Sequence, residues 1–243
     1  MTEAEPMIEA VDLCKHYGSF AAVDQLSFSI KRGEVVAFLG PNGAGKSTTM
    51  KVLTGYLAPT SGIARLCGLD VVKDRVKAAA NLGYLPENGP LYPEMTAREM
   101  LAFFGEARGL TGQRFRDRLD YVTNETDLSE LLDKTLGKCS KGQKQRVGMA
   151  QVLLHDPEVL ILDEPTTGLD PNQIRHVRDL VKKLGETRTI LLSTHLFQEV
   201  DAMAGRVMLV NEGRLSFDGT PEEFKAKGNG QMDQAFHTLT TDV

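Results

Sequence analysis

Eight consecutive residues, Gly40-Pro41-Asn42-Gly43-Ala44-Gly45-Lys46-Ser47, constrain this chain more than any other stretch, because of what flanks them. The apolar run Val35-Val36-Ala37-Phe38-Leu39 stands directly before them and reads as a buried strand; helical periodicity begins directly after. Strand, GxxxxGK[ST] turn and helix in succession make a cradle for phosphate. Its glycines let backbone N–H groups turn inward around phosphate oxygens, and the helix N-terminus adds partial positive charge. Lys46 is placed to reach the outer phosphates and the Ser47 hydroxyl to ligate Mg²⁺, so the implied ligand is a triphosphate with Mg²⁺. The cradle alone leaves kinases, GTPases, motor ATPases and transporter ATPases open.

The rest of the chain narrows the choice. Short β-branched apolar runs at 8–14, 26–30, 34–39, 159–163, 189–193 and 206–211 read as strands. Helical periodicity at 46–54, 141–155, 174–184 and 196–203 alternates with the later ones, which implies a largely parallel sheet covered on both faces. Between about 90 and 135 the strand signal disappears, and Thr96 is a fitting N-cap for a helix over 97–108, followed by another over 114–122. This stretch reads as an inserted helical subdomain. After Lys227, Gly228-Asn229-Gly230 breaks the pattern and leaves a short tail.

Composition excludes several classes. The 243 residues are 41% hydrophobic and 25% charged, the balance of a folded protein. A net charge of -5 leaves no basic surplus for a nucleic-acid backbone, and no nucleic-acid partner is expected. The three cysteines, Cys14, Cys67 and Cys139, are far apart without a CxxC pair, so their spacing indicates neither a disulfide framework nor a zinc site and fits a reducing cytoplasm. No apolar run approaches the ~20 residues needed to cross a bilayer, and the acidic first residues, 1–6, lack a signal-peptide core. Work at a membrane would therefore need another chain to do the crossing.

Val159-Leu160-Ile161-Leu162 leads into Asp163-Glu164-Pro165, placing two carboxylates at the C-terminal edge of a buried strand, where α/β sheets bind ligands. Asp163 would hold the magnesium shell and Glu164 would polarise the attacking water as general base. Two acids ending a strand before a turn is also a common arrangement without function.

Order and spacing of the phosphate loop, Asp163-Glu164-Pro165, Gly168-Leu169-Asp170-Pro171 and Ser193-Thr194-His195 resemble the ATP-binding cassette (ABC) ATPases. The most diagnostic element is Cys139-Ser140-Lys141-Gly142-Gln143, similar to that family's signature loop, and the resemblance runs from about residue 8 to 227. It implies an α/β P-loop NTPase core with a mostly parallel sheet, N-terminal antiparallel β strands and an inserted helical subdomain at about 90–153. The ATP-binding domain would be 1–227 and the tail 228–243.

The implied activity is ATP hydrolysis, with ATP and Mg²⁺ bound between two copies of the domain paired head to tail. The phosphate loop through Thr48 of one copy then faces Ser140, Gly142 and Gln143 of the other; an N-capped helix is the alternative reading of the latter segment. Asp170 would contact the facing copy, and His195 would hydrogen-bond the γ-phosphate and help Glu164 in catalysis. Tyr17 matches the aromatic that stacks on adenine, or is an aromatic packed at a strand end. Glu87 falls where the family usually has a glutamine that ligates magnesium and relays nucleotide state; a carboxylate supplies a metal oxygen but adds negative charge near the γ-phosphate. Cys139 replaces a leucine and is small enough to pack, while Lys141 replaces a glycine and either attracts phosphate or is solvated.

The stretch 87–99 resembles ATPases of ABC-2-type exporters, including the gliding-motility kind. That resemblance implies an exporter subunit on the cytoplasmic side of the cell membrane, peripheral, held there by a separate integral membrane permease. Leu91, Tyr92 and Met95 suit contact with that permease, or cover the subdomain's own core. A soluble ABC switch outside transport is the other functional class that these motifs allow.

Overall fold

In the computed structural model, residues 5–87, 89 and 91–241 are described. The chain opens with β1 (Ile8–Tyr17), β2 (Phe20–Ile30) and β3 (Val35–Leu39), then α1 (Lys46–Leu53), β4 (Ser61–Leu66), β5 (Leu69–Asp70), α2 (Arg75–Ala80) and β6 (Leu82–Leu85). A helical stretch follows: α3 (Ala97–Ala107), α4 (Gly112–Glu125) and α5 (Lys141–Leu153). The chain then alternates through β7 (Val159–Asp163), α6 (Pro171–Gly185), β8 (Thr189–Ser193), α7 (Phe197–Met203) and β9 (Arg206–Asn211). It ends with β10 (Arg214–Gly219), α8 (Pro221–Ala226) and α9 (Met232–Thr241).

Two sheets result. An antiparallel sheet has the order β2-β1-β4-β5, and a second sheet has the order β10-β9-β3-β8-β7-β6, parallel from β9 to β6. Alternation along each parallel strand sends neighbours to opposite faces. Val36 and Phe38 of β3, Val159 and Ile161 of β7, and Met208 of β9 pack toward the antiparallel sheet with Ile8, Leu26 and Ile30. Leu160 and Leu162 face the other way, into a core shared with Met100, Leu101, Val147 and Leu153 of α3 and α5. Ala37 and Leu39 meet Phe224 and Met232 in a third cluster under α8 and α9. Near-continuous apolar strands such as 159–162 follow from burial on both faces.

The expected α/β architecture, with a mostly parallel sheet and antiparallel N-terminal strands, is the one observed. Four strands and three helices escape the periodicity reading. β4 begins Ser61-Gly62 and has three exposed residues, β6 spans four residues with Gly83 inside, and β10 is half-exposed, so none shows a clean apolar alternation. In the segment read as a tail, α9 buries Met232 and Ala235 and sets Phe236 against Phe197 with ring centroids 5.5 Å apart. Thr96 caps α3 as expected, its hydroxyl accepting from Glu99 N–H while the Glu99 carboxylate accepts from Thr96 N–H. No helix among the described residues is long and apolar enough to cross a membrane.

His155 follows α5 and ties it to β6, its Nε2 lying 2.9 Å from the Leu82 carbonyl oxygen. Burial is the main force that pushes its pKa down to about 4, and the Arg108 cation adds to it. The imidazole is therefore neutral in the fold, and Nε2–H donates. An unfolded histidine titrates at about 6.5, so the unfolded chain binds more protons between the two values. This contribution to stability is complete above the unfolded value and is lost as pH falls toward 4. Thermal melts at pH 7 and pH 5 should show a larger fall in Tm for the wild type than for His155→Gln; equal falls would contradict the assignment.

Candidate nucleotide site

Three adjacent parallel strands, β3, β8 and β7, end on one edge of the sheet, and the loops that leave them carry the polar residues singled out above. The phosphate loop leaves β3. At Gly45 the backbone has φ 99°, and a Cβ there would collide with the Ala22 carbonyl oxygen, so only glycine fits. Gly45 also stands at the N-cap of α1 without any side-chain cap, and no acidic residue lies in the first turn. The first N–H groups of α1 thus keep the capacity to bind an anion, the property a phosphate site requires.

Lys46 Nζ donates to the carbonyls of Gly40 at 2.6 Å and Pro41 at 3.0 Å. Burial pulls the Lys46 pKa down, and the nearby carboxylates of Glu164 and Asp163 oppose that shift. One partly desolvated cation therefore faces two carboxylates across the loop, a balance that a bound polyphosphate with a divalent cation would complete.

The acidic pair sits where β7 meets β8. Asp163 pairs in register with Ser193, is buried, and accepts from Ser193 Oγ at 2.7 Å. The same Ser193 Oγ accepts from Glu164 N–H at 2.9 Å, so one hydroxyl joins both acidic residues. Glu164 adopts φ 51°, an uncommon region for a residue with a side chain, and such strain concentrates at functional sites. Its Oε2 accepts from Thr167 Oγ1 at 3.0 Å and lies 2.8 Å from His195 Nδ1. A carboxylate only accepts, so Nδ1 carries the proton in this contact and Nε2 is left for another partner.

The remaining residues form separate groups. Ser140 caps α5, with its Oγ accepting from Gln143 N–H at 3.2 Å and the Gln143 Oε1 accepting from Ser140 N–H at 3.0 Å. Gln143 Oε1 also accepts from Lys134 Nζ at 2.8 Å. The capped-helix alternative for this segment is therefore realised within one copy. Asp170 caps α6, accepting from Asn172 and Gln173 N–H at 3.0 Å each. These two caps meet, because a Cβ at Gly142 would run into the Gln173 amide. No hydrogen bond among the described residues links this cluster to the phosphate loop.

Tyr17 ends β1 at 50% exposure, with Lys15 Nζ 5.5 Å from its ring centroid. Glu87 is exposed just beyond β6, which pairs with β7. Asn88 and Pro90, part of the exporter-like stretch, lie outside the described residues, as do 1–4 and 242–243. Leu91 and Met95 pack against the core of α3 to α6, whereas Tyr92 is 38% exposed and stacks edge-on to Phe103.

Ser193 as a bridge and Thr167 as a brace were missed as site residues. Nothing in sequence separates a strand-end serine from any other, and only the Asp163–Ser193 register brings the two together. Tyr84 was missed too: its Oη is buried without a partner among the described residues. Burial chiefly, then the charge of Asp163, pushes the phenol up to about 12.

Comparison with known proteins identifies the family. The model of the ABC transporter family matches residues 23–167. The probable multidrug ABC transporter ATP-binding protein YbhF of Escherichia coli (strain K12) is 38% identical over 99% of this chain, although the chain spans only 43% of that relative. Nod factor export ATP-binding protein I of Paraburkholderia xenovorans (strain LB400) is 39% identical over 93% of this chain and 75% of its own length. A solved ATP-binding subunit of an ABC transporter aligns with a TM-score of 0.87 at 30% identity, covering 96% of this chain and 99% of that one. A family match over more than half of the residues, with the phosphate loop and the acidic strand end both inside it, settles the assignment: this chain belongs to the ABC transporter family, as an ATP-binding cassette.

Proposed function

We propose that this chain is the ATPase subunit of an ABC-2-type exporter, driving a separate membrane permease from the cytoplasmic face by ATP-controlled pairing of two copies. The observation that carries the catalytic part is the Glu164 carboxylate, braced by Thr167 and His195 at the end of β7, on the edge that also bears Lys46. Both braces land on Oε2, which leaves Oε1 to accept from a water as general base. His195 Nε2 would meet the γ-phosphate, and Lys46 would exchange its loop carbonyls for outer phosphate oxygens. Ser47, Asp163 and Glu87 form an oxygen donor set that suits Mg²⁺, whose chemistry here is neutralisation of charge on the outer phosphates. Tyr17 offers an exposed ring for adenine. We take residues 1–227 as the ATP-binding domain, with its helical subdomain at about 90–153.

How the two polar groups are bonded supports the pairing. The cap cluster of Ser140, Gly142, Gln143 and Asp170 has the serine hydroxyl and helix N-terminus that a γ-phosphate favours, yet among the described residues shares no hydrogen bond with its own phosphate loop. A second copy arranged head to tail brings the halves together. For the permease, a groove of about 520 Å³ opens between β6 and α3, lined by Tyr56, Leu91, Met100 and Phe104. Tyr84 lines it as well, and its buried Oη, without a partner among the described residues, is a donor suited to an acceptor on an entering helix. Relatives named for multidrug transport and Nod factor export support the exporter reading.

Glu164→Gln should cut ATP turnover by a factor of about 10²–10⁴ while retaining nucleotide, so that a dimer accumulates in gel filtration with Mg-ATP. An ATP-loaded monomer would contradict the paired site. Tyr17→Ala should weaken ATP binding about tenfold with the fold intact, the scale of one base-stacking contact; calorimetric titration reads this directly. Purification of the tagged chain in mild detergent should recover an integral membrane protein that raises its ATPase rate, and a chain that stays soluble beside every candidate permease would overturn the transport reading.

A further inference from the structure

We propose that Cys14, His16 and Asp24 form a zinc site on the β1–β2 hairpin, with three protein ligands and an open fourth position. One ligand atom from each of these side chains lies within 4.8 Å of the others. A tetrahedral site with bonds of about 2.0–2.3 Å sets its donors roughly 3.5 Å apart, so a small closing movement completes it. Thiolate, imidazole and carboxylate together are a donor set of zinc enzymes and zinc structural sites rather than of Mg²⁺ or Ca²⁺.

The strands bring these residues together for an identifiable reason. Cys14 and His16 are two apart on β1 and so project from one face. Leu13 opposes Leu26 and Lys15 opposes Val23, so Cys14 alone faces two residues, Asp24 and Gln25. This is a β-bulge, a device that re-aims side chains next to binding sites. Gln25 sits at φ 50° and directs its N–H to Cys14 Sγ at 3.3 Å, a contact that stabilises a thiolate, while its neighbour in the bulge contributes the carboxylate.

Neighbouring groups orient the three donors. Arg214 gives both of its contacts, at 2.9 and 2.6 Å, to Asp24 Oδ2, which orients the carboxylate and leaves the other oxygen for the metal. The His16 imidazole is exposed and has no hydrogen-bond partner among the described residues, while its backbone N–H is anchored to Thr60 Oγ1 at 3.0 Å. Cys14 is buried at 8% exposure and its thiol donates to the Asp12 carbonyl at 3.6 Å. Metal binding forms the Zn–S bond, breaks the S–H bond and releases that proton to solvent, leaving a thiolate beside the carboxylate as anionic ligands of the ion. The site is held rigidly, since Asp24 N–H donates to the Gly213 carbonyl at 3.0 Å. It lies one residue from Tyr17, so zinc would clamp β1 to β2 beside that ring.

The proposal does not depend on the nucleotide reading and is tested on the full, tag-free chain in excess Mg²⁺, which keeps the oxygen-rich phosphate site out of the measurement. Zinc titrated by calorimetry should bind one per chain, and Co²⁺ should give a thiolate-to-metal charge-transfer band. Cys14→Ser should abolish that band and weaken zinc binding more than about tenfold. His16→Gln, a surface change that leaves the core untouched, should weaken it similarly, whereas the double variant Cys67→Ser/Cys139→Ser should keep both signals. Zinc should raise the Tm of the wild type and of that double variant, but not of the two ligand variants. No stoichiometric zinc, or a Cys14→Ser or His16→Gln chain that binds it as the wild type does, overturns the proposal.

Discussion

Parallel backbone pairing of β3 with β8 and of β8 with β7 is the constraint on which the rest of this structure depends. Parallel strands all end on one edge, so the phosphate loop, His195 and the Asp163–Glu164 pair leave the sheet side by side although about 150 residues of chain separate them. Apolar side chains hold this ladder from both faces, and the site exists because the strands emerge from the core at that edge. Polar groups at the edge then lock one another: Ser193 bridges Asp163 and Glu164, and Glu164 engages His195. A shift of β8 against β7 by one residue would point Ser193 to the other face and release both acids.

In the proposed pairing a single copy holds only part of the groups that would meet the nucleotide. The capped starts of α5 and α6 lie together, joined at Gly142 and Gln173, on the helical side of the molecule. Within one copy the Ser140 hydroxyl oxygen and the Asp170 Oδ1 accept from their own helices' N–H groups. What the cluster keeps for an anion brought from elsewhere is the Ser140 O–H as a donor and the partial positive charge of a helix end. In the proposed pairing, hydrolysis would depend on two surfaces meeting, which would couple chemistry to movement.

Legibility from sequence varied with the physics of each residue. The glycine loop was plain because its requirement is local: φ values reserved for glycine, a cation and a hydroxyl at fixed spacing after an apolar strand. The double-faced strands were plain because continuous apolar runs are rare outside buried sheets. β4, β6 and β10 were hidden because short or half-exposed strands take their stability from neighbours rather than from their own residues. Ordering of the segment after residue 227 came from Phe236 finding Phe197, a contact that no local pattern encodes.

Sequence by itself determined that this chain is a phosphate-binding α/β protein with a cation, a hydroxyl and two strand-end acids, since each of these is written within a few consecutive residues. Tertiary structure alone decided which of those groups meet. It joined Glu164 to His195 and Asp163 to Ser193, and among the described residues it left the signature-like loop without a hydrogen bond to the phosphate loop. It also brought Cys14 and His16 to Asp24, where cysteine spacing gave no hint of a metal. The physical reason is that strand register and bulges depend on packing between distant segments, so distances across strands are set by the whole core and not by any stretch of it.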